Sequence, residues 1–289
     1  MYQDFYGFTE KPFTITPNPD FIFLSRIHRE AFAHLFYGID SHAGFITLTG
    51  EVGTGKTTVL RTLLSQLDTE KYKSALIFNP CLSGVQLLAG ICREFGVEAD
   101  EKDTYGYLDA LNMFLLEKHS EGSTVLLVVD EAQNLAPAVL EQIRMISNLE
   151  TERDKLIQII LAGQPELNNL LNRHDLRQLN QRITVRCRLV PMGPEDTGNY
   201  IRHRLKVSGC RVPGLFTTKA VRQIHSYSKG VPRVINVLCE QALIMAWTME
   251  ETRITSPMIH RVVSESRYDA GDVGVLDSIL GWLRSRKVR

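Results

Sequence analysis

Eight consecutive residues, Gly50-Glu51-Val52-Gly53-Thr54-Gly55-Lys56-Thr57, followed at once by Thr58, fit the spacing G-x-x-x-x-G-K-[ST]. Those residue types suit one task, the holding of a phosphate chain. Glycines let successive backbone N–H groups turn inward around an anion, and a helix N-terminus behind them adds positive dipole. Lys56 has the reach to meet β- and γ-phosphates, and Thr57 offers a hydroxyl that ligates Mg²⁺. Further on, Thr124-Val125-Leu126-Leu127-Val128-Val129-Asp130-Glu131 is an apolar run that ends in two acids. Asp130 suits the orientation of a Mg²⁺-bound water beside Thr57, and Glu131 suits the polarisation of an attacking water. Two solvated acids at a strand end would look the same in isolation. The phosphate loop upstream decides for chemistry.

The loop needs a strand before it and a helix after it. Phe45-Ile46-Thr47-Leu48-Thr49 reads as a buried strand, and Thr58-Val59-Leu60-Arg61-Thr62-Leu63-Leu64 as a helix. An uninterrupted apolar run is what a parallel strand covered on both faces looks like, and ligands bind at the carboxyl ends of such strands. Further strands are expected at 74–79, 156–162 and 183–189, with helices at 26–40, 84–95, 105–118 and 137–149 and short ones at 166–171 and 176–180. This alternation predicts an α/β fold, a doubly wound parallel five-stranded sheet. After Pro191, Gly193 and Pro194 every periodic segment is helical, at 195–207, 217–228, 231–248 and 257–268. The expected organisation is an α/β nucleotide-binding domain at 1–192, an all-α lid at 193–268, and a linker with a short C-terminal helix at 269–289. The first twenty residues are rich in aromatics, with Pro12, Pro17 and Pro19 enforcing extended or turn geometry. Ser25 can cap the helix from Arg26 to about Asp40, and this entry segment is expected beside the phosphate loop, either as apolar contacts to adenine or as core; both readings stand.

Bulk properties exclude more than they name. The 289 residues carry 33 basic and 33 acidic side chains, so no global charge points to nucleic acid or an anionic membrane. No apolar run approaches the length of a membrane span. Five dispersed cysteines (Cys81, Cys92, Cys187, Cys210, Cys239) form no C-x-x-C pair, and no signal peptide precedes them, so reduced thiols in a cytoplasm are expected.

Several stretches together resemble an AAA+ ATPase, and more narrowly the ExeA-type family of general secretion pathway protein A, MSHA-pilus and exopolysaccharide-associated ATPases. They are Tyr6-Gly7-Phe8 with Lys11-Pro12-Phe13, Thr16-Pro17-Asn18-Pro19, Gly44 to Thr58, Val128-Val129-Asp130-Glu131-Ala132-Gln133, Ser147-Asn148-Leu149-Glu150-Thr151, Leu161-Ala162-Gly163-Gln164-Pro165-Glu166-Leu167 and Gly230-Val231-Pro232-Arg233-Val234-Ile235-Asn236. The resemblance covers about residues 1–268. It does not extend to the membrane span and peptidoglycan-binding domain that secretion-type members carry after the ATPase. It implies P-loop binding of ATP with Mg²⁺, a preference for ATP that agrees with the absence of the Asn/Thr-Lys-x-Asp guanine motif, and a nucleotide-dependent oligomer. It also implies roles for further residues. Asn79 is similar to the polar residue that pairs with the catalytic glutamate, although an Asn leading into a turn at Pro80 explains it as well. Gln164 matches a γ-phosphate sensor, Arg233 the arginine that reaches the γ-phosphate from the lid, and Arg182 an arginine finger offered to a neighbouring subunit. Arg173, Arg177, Arg186 and Arg188 lie close to Arg182 in sequence.

Two function classes follow. One is an ATPase that drives or regulates assembly of a bacterial envelope machine, whether a secretion system, pilus or polysaccharide exporter. The other is a DNA-associated transposition helper, for which the excess of basic residues between 173 and 211 would bind phosphates. In the tail, Leu276, Ile279, Leu280 and Leu283 fall on one helical stripe before Arg284-Ser285-Arg286-Lys287-Val288-Arg289. Docking on the lid, insertion into a partner groove and peripheral contact of 275–289 with the inner face of the cytoplasmic membrane all fit that pattern.

Overall fold

The structure, a computed structural model, describes residues 2–15, 18–78, 83–151 and 154–268. Asn79 and the whole 269–289 segment, with its expected amphipathic helix, lie outside the described residues. In chain order the regular elements begin with α1 (Tyr2–Tyr6), α2 (Arg26–Asp40), β1 (Phe45–Gly50), α3 (Lys56–Gln66), β2 (Tyr72–Ile77), α4 (Gly84–Phe95), α5 (Thr104–Ser120) and β3 (Thr124–Val129). They continue with α6 (Pro137–Ile146), β4 (Ile157–Gly163), α7 (Glu166–Leu171), α8 (Arg177–Arg182), β5 (Ile183–Leu189), α9 (Pro194–Val207), α10 (Thr218–Ser228), α11 (Pro232–Thr248) and α12 (Ser256–Tyr268). They fall into two compact units.

One unit runs from His28 to Leu189. Its five strands form one parallel sheet in the order β2-β3-β4-β1-β5. Every residue of β1 and β4 is buried, as are five of the six in β3. Strands covered on both faces have no polar side to show, which is why these segments read as continuous apolar runs. Leu87, Leu88 and Ile91 of α4, Leu111 and Leu115 of α5, and Leu140 and Ile143 of α6 pack with the inward residues of β3 and β4. The expected second strand at 74–79 is shifted. It occupies Tyr72–Ile77, because β2 is an edge strand whose start follows its pairing with β3 (Tyr72 opposite Thr124) rather than its apolar content. Because the strands run parallel, their carboxyl ends deliver Gly50, Asp130 and Gln164 to one edge of the sheet.

The other unit joins the described residues through Ile27 to those from Val190 on. α9 to α12 form a helical core around Ile201, Ile224, Ile235, Leu238, Ala242 and Ile259. The aromatic N-terminal segment belongs to this core, and the 1–192 boundary is corrected accordingly, since the residues through Ile27 group with the helices. Tyr2, Tyr6, Phe8 and Phe13 are buried against the helices, with Tyr2 Oη donating to Glu240 Oε1 at 2.7 Å and Tyr6 Oη to the Glu251 carbonyl at 2.9 Å. Arg204, 7% exposed, donates to the carbonyls of Pro12 and Thr14 and lies 4.8 Å from the centre of the Phe21 ring. The physical reason is α11, which is buried along most of its length and offers aromatics a wide apolar surface. Of the two readings of these aromatics, core packing is the one observed for Tyr2, Tyr6, Phe8 and Phe13.

Cys92, Cys187, Cys210 and Cys239 are free thiols, and burial pushes the Cys187 thiol up to about 11. Among the described residues no helix is long and apolar enough to cross a membrane.

Candidate active site

The phosphate loop leaves β1 at Gly50 and enters α3 at Lys56. Gly53 and Gly55 both adopt positive φ, at 77° and 100°, which turns successive N–H groups toward one side. Gly55 has a second reason to lack a side chain. A Cβ there would stand 2.8 Å from Nε2 of His28, a buried ring whose Nε2 lies 2.9 Å from the Thr54 carbonyl. A carbonyl only accepts, so Nε2 carries the proton. His28 thus ties α2 to the middle of the loop, a role that no sequence spacing announces.

Lys56 is 5% exposed, and its Nζ donates to the carbonyls of Gly50 at 2.7 Å and Glu51 at 3.2 Å. Burial pushes its ammonium below the usual lysine range, opposed by the carboxylates of Glu131, Asp130, Glu51 and Glu166. The cluster of acids around one buried cation keeps it charged for an anionic ligand.

Thr57 Oγ1 donates to Asp130 Oδ2 at 2.6 Å. Asp130 is 2% exposed, and its other oxygen accepts the N–H of Glu131 at 2.9 Å. Its own N–H extends the sheet by donating to the Ile77 carbonyl at 3.0 Å. A hydroxyl and a carboxylate brought this close are hard oxygen donors of the kind Mg²⁺ takes, with substrate phosphates and waters completing its octahedron. The residues present therefore fit the metal. A dedicated protein cage is not required, and none of three or more His, Cys, Asp or Glu occurs among the described residues.

Glu131 follows in the left-handed region, at φ 56° and ψ 34°, a conformation that costs free energy in a non-glycine residue and clusters at functional sites. The kink leads into a short 3₁₀ turn at Ala132–Asn134. Glu131 Oε2 then accepts from Gln133 Nε2 at 2.7 Å and from Gln164 Nε2 at 3.4 Å. Gln133 Oε1 in turn accepts the backbone N–H of Gln164 at 3.0 Å. The structure thus brings Glu131 and Gln164 together, and adds Gln133 to them. The signal available was an amide two residues past an acid, too common to single out.

Arg182 stands elsewhere in its unit. Arg182 ends α8 and donates through Nη1 to Ser147 Oγ at 3.0 Å. Its neighbour Ile183 pairs with Phe45 at the start of β1, whereas Gly50 pairs with Leu189. Six strand steps of about 3.3 Å put Arg182 roughly 20 Å from the loop of its own chain. Arg233 is the second residue of α11 in the helical unit, half-buried, and its Nε has no hydrogen-bond partner among the described residues.

A parallel sheet with a phosphate loop after its first strand, and an acid pair closing the strand beyond its neighbour, defines a P-loop ATPase of the AAA+ type. Comparison with known proteins agrees. Residues 39–171 match the model of the AAA domain family. Of solved structures, Cdc6p from Pyrobaculum aerophilum aligns at TM-score 0.68 with 17% identity, covering 88% of this chain and 70% of its own. The Aeropyrum pernix ORC2 protein aligns at 0.67 with 19% identity, covering 89% and 72%. At such identities these likenesses speak for the fold alone. General secretion pathway protein A of Aeromonas hydrophila is 46% identical over 274 residues, 94% of this chain and 49% of that protein. The chain belongs to the ExeA-type family of AAA+ ATPases, and it spans about half the length of the curated relative it matches.

Proposed function

We propose that this protein binds ATP with Mg²⁺ and hydrolyses it, and that turnover drives or regulates assembly of a bacterial envelope machine. The observation that carries the chemistry is the hydrogen-bonded run from Thr57 to Asp130 to Glu131 beside the phosphate loop. In this reading Gly50, Glu51, Val52, Gly53, Thr54 and Gly55 wrap the phosphates with backbone N–H groups, and Lys56 neutralises them. Thr57 would ligate the metal and Asp130 would orient a water of its shell, and Thr58 follows at the head of α3. Mg²⁺, when bound, supplies charge neutralisation at the β- and γ-phosphates. Glu131 accepts the proton of the attacking water, which Gln164 helps to place. Arg233 contributes from the helical unit a cation for the γ-phosphate, and Arg182 serves a neighbouring copy, since its own loop is out of reach. The protein therefore works as an oligomer.

The envelope role rests on the 46% identity to General secretion pathway protein A. It makes a secretion, pilus or export component the partner, at the inner face of the cytoplasmic membrane. The nucleic-acid reading is weakened by basic residues that are already engaged. Of the basic residues between 173 and 211, Arg173 pairs with Asp175, Arg182 donates to Ser147, Arg186 to Asn180, and Arg204 is buried. The test is nucleotide binding by calorimetry with and without Mg²⁺, beside DNA binding across a salt series. The proposal expects Lys56→Ala to lose ATP binding and the parent to show no salt-dependent DNA affinity. A Lys56→Ala variant that retains ATP affinity, or a parent that binds duplex DNA with a steep salt slope, contradicts it.

A further inference from the structure

Resting on the reading of Glu131 as the base, we infer that Gln133 is the positioning residue that sets this carboxylate and couples it to the end of β4. The geometry allows one side chain to do both. Gln133 Nε2 donates to Glu131 Oε2 at 2.7 Å while its Oε1 accepts the Gln164 N–H at 3.0 Å. Only a side chain with a donor and an acceptor on one planar group satisfies a carboxylate and a backbone N–H at once, and these partners fix which end is which. The chain makes room for the amide on both sides. The left-handed turn at Glu131 and the 3₁₀ turn after it fold residue 133 back over residue 131. On the facing strand, Gly163 lacks the Cβ that would stand 2.7 Å from Gln133 Oε1. Glycine at the end of a buried strand weakens the strand, so its presence marks a close approach that something needs.

The consequence is a defined carboxylate. Oε2 is occupied by two amides, Gln133 and the longer contact from Gln164 at 3.4 Å. Oε1, with no hydrogen bond among the described residues, is the oxygen left for a water. In the proposed reading Gln164 helps to place the attacking water, and Gln133 links its backbone N–H to the base. Movement of the β4 end therefore reaches Glu131 through Gln133, beside the longer direct contact from the Gln164 amide. Loss of the link misplaces the base by a fraction of an ångström to an ångström, which costs about ten- to a hundredfold in turnover while substrate binding stays.

The experiment measures ATP turnover against pH, and ATP affinity by calorimetry, for the parent, Gln133→Glu, Gln133→Leu, Gly163→Ala and Glu131→Gln. The glutamate variant keeps the acceptor but presents a second anion to Glu131 at neutral pH. Its turnover is expected to fall about tenfold or more there and to recover in part as the pH drops toward about 5, where a protonated carboxyl again donates. Gln133→Leu should lose turnover with no such recovery, and Gly163→Ala should lose it through displacement of the amide. KM for ATP should hold in all three. A purely structural role would lower thermal stability and affinity together and would give no pH-dependent recovery. Parent-like turnover in both Gln133 variants, with Glu131→Gln inactive, overturns the inference alone. Parent-like turnover in Glu131→Gln overturns the reading beneath it. Should Gln133→Leu not fold, the glutamate and Gly163→Ala variants decide.

Discussion

Thr57→Val probes the metal position with almost no change of shape. The valine keeps the branched volume and a similar helix propensity, but it removes the hydroxyl that donates to Asp130 Oδ2 at 2.6 Å. Asp130 is 2% exposed, so little water reaches it to replace that donor, and among the described residues the carboxylate keeps the Glu131 N–H on its other oxygen. A hydrogen bond to a charged group is worth about 1.5–3 kcal/mol. For a unit the size of His28–Leu189, roughly 2–4 °C per kcal/mol translates this into a fall in Tm of about 3–12 °C. The functional loss should exceed the structural one. Without the hydroxyl one of the two oxygen groups that fit the metal is lost, so the gain in ATP affinity on adding Mg²⁺ should fall sharply while metal-free binding through the loop and Lys56 persists. Differential scanning fluorimetry and calorimetry with ATP, each with and without Mg²⁺, measure both, and Thr57→Ser should restore both. A valine variant with parent-like Mg²⁺ dependence would refute the metal assignment. An unchanged Tm would refute the energetic one.

Other outcomes follow from the same geometry. Lys56 has its ammonium pushed down by burial, so it sheds its proton at lower pH than a free lysine, whose pKa is about 10.4. Only the ammonium binds triphosphate, so ATP affinity should weaken as pH rises through that depressed value, and Lys56→Arg, always charged, should flatten the decline. Calorimetry from pH 7 upward, in steps of about half a unit, reads this. Mixing Arg182→Ala with Lys56→Ala should restore turnover that each lacks, because a mixed oligomer sets an intact loop against an intact arginine. No recovery at any ratio, with subunit exchange shown, removes Arg182 from catalysis. Arg204→Met should free the N-terminal segment by leaving the Pro12 and Thr14 carbonyls without their charged donor, a cost of about 3 kcal/mol. Limited proteolysis should then cut within the first fifteen residues, and a resistant variant would show that the aromatics hold alone.

What the sequence disclosed and what it hid divide along one physical line. Local order was legible where a segment carries its own reason. The apolar runs of β1, β3 and β4 need cover on both faces, and Gly53, Gly55 and Lys56 need a phosphate or its equivalent. Asp130 and Glu131 were legible because a polar pair at the end of a buried strand has few structural excuses. The hidden features are partners chosen by tertiary structure. His28 lies 26 positions before the carbonyl it holds, and Gln133 reaches a backbone N–H 31 positions on. Ser147 meets Arg182 across 35. The aromatic N-terminus declared that it would be buried, but the identity of the surface, α11 and the turn after it, depended on residues more than 200 positions away. β2 slipped because an edge strand obeys its neighbour's hydrogen bonds. Phe78, the apolar residue that invited extension of the strand, stays 47% exposed beneath the Arg61 guanidinium, 5.1 Å from its ring centre.

The claim at the centre is that this site hydrolyses ATP, with Glu131 as the base beside an intact metal position. The most direct measurement is single-turnover hydrolysis of Mg²⁺-ATP by Glu131→Gln, run beside its affinity for the same nucleotide. Removing one carboxylate while leaving Lys56, Thr57 and Asp130 in place should keep the affinity within a few-fold and lower the rate by about a hundredfold or more. A variant that hydrolyses ATP at the parent's rate, or a parent that binds Mg²⁺-ATP and never turns it over, contradicts the account.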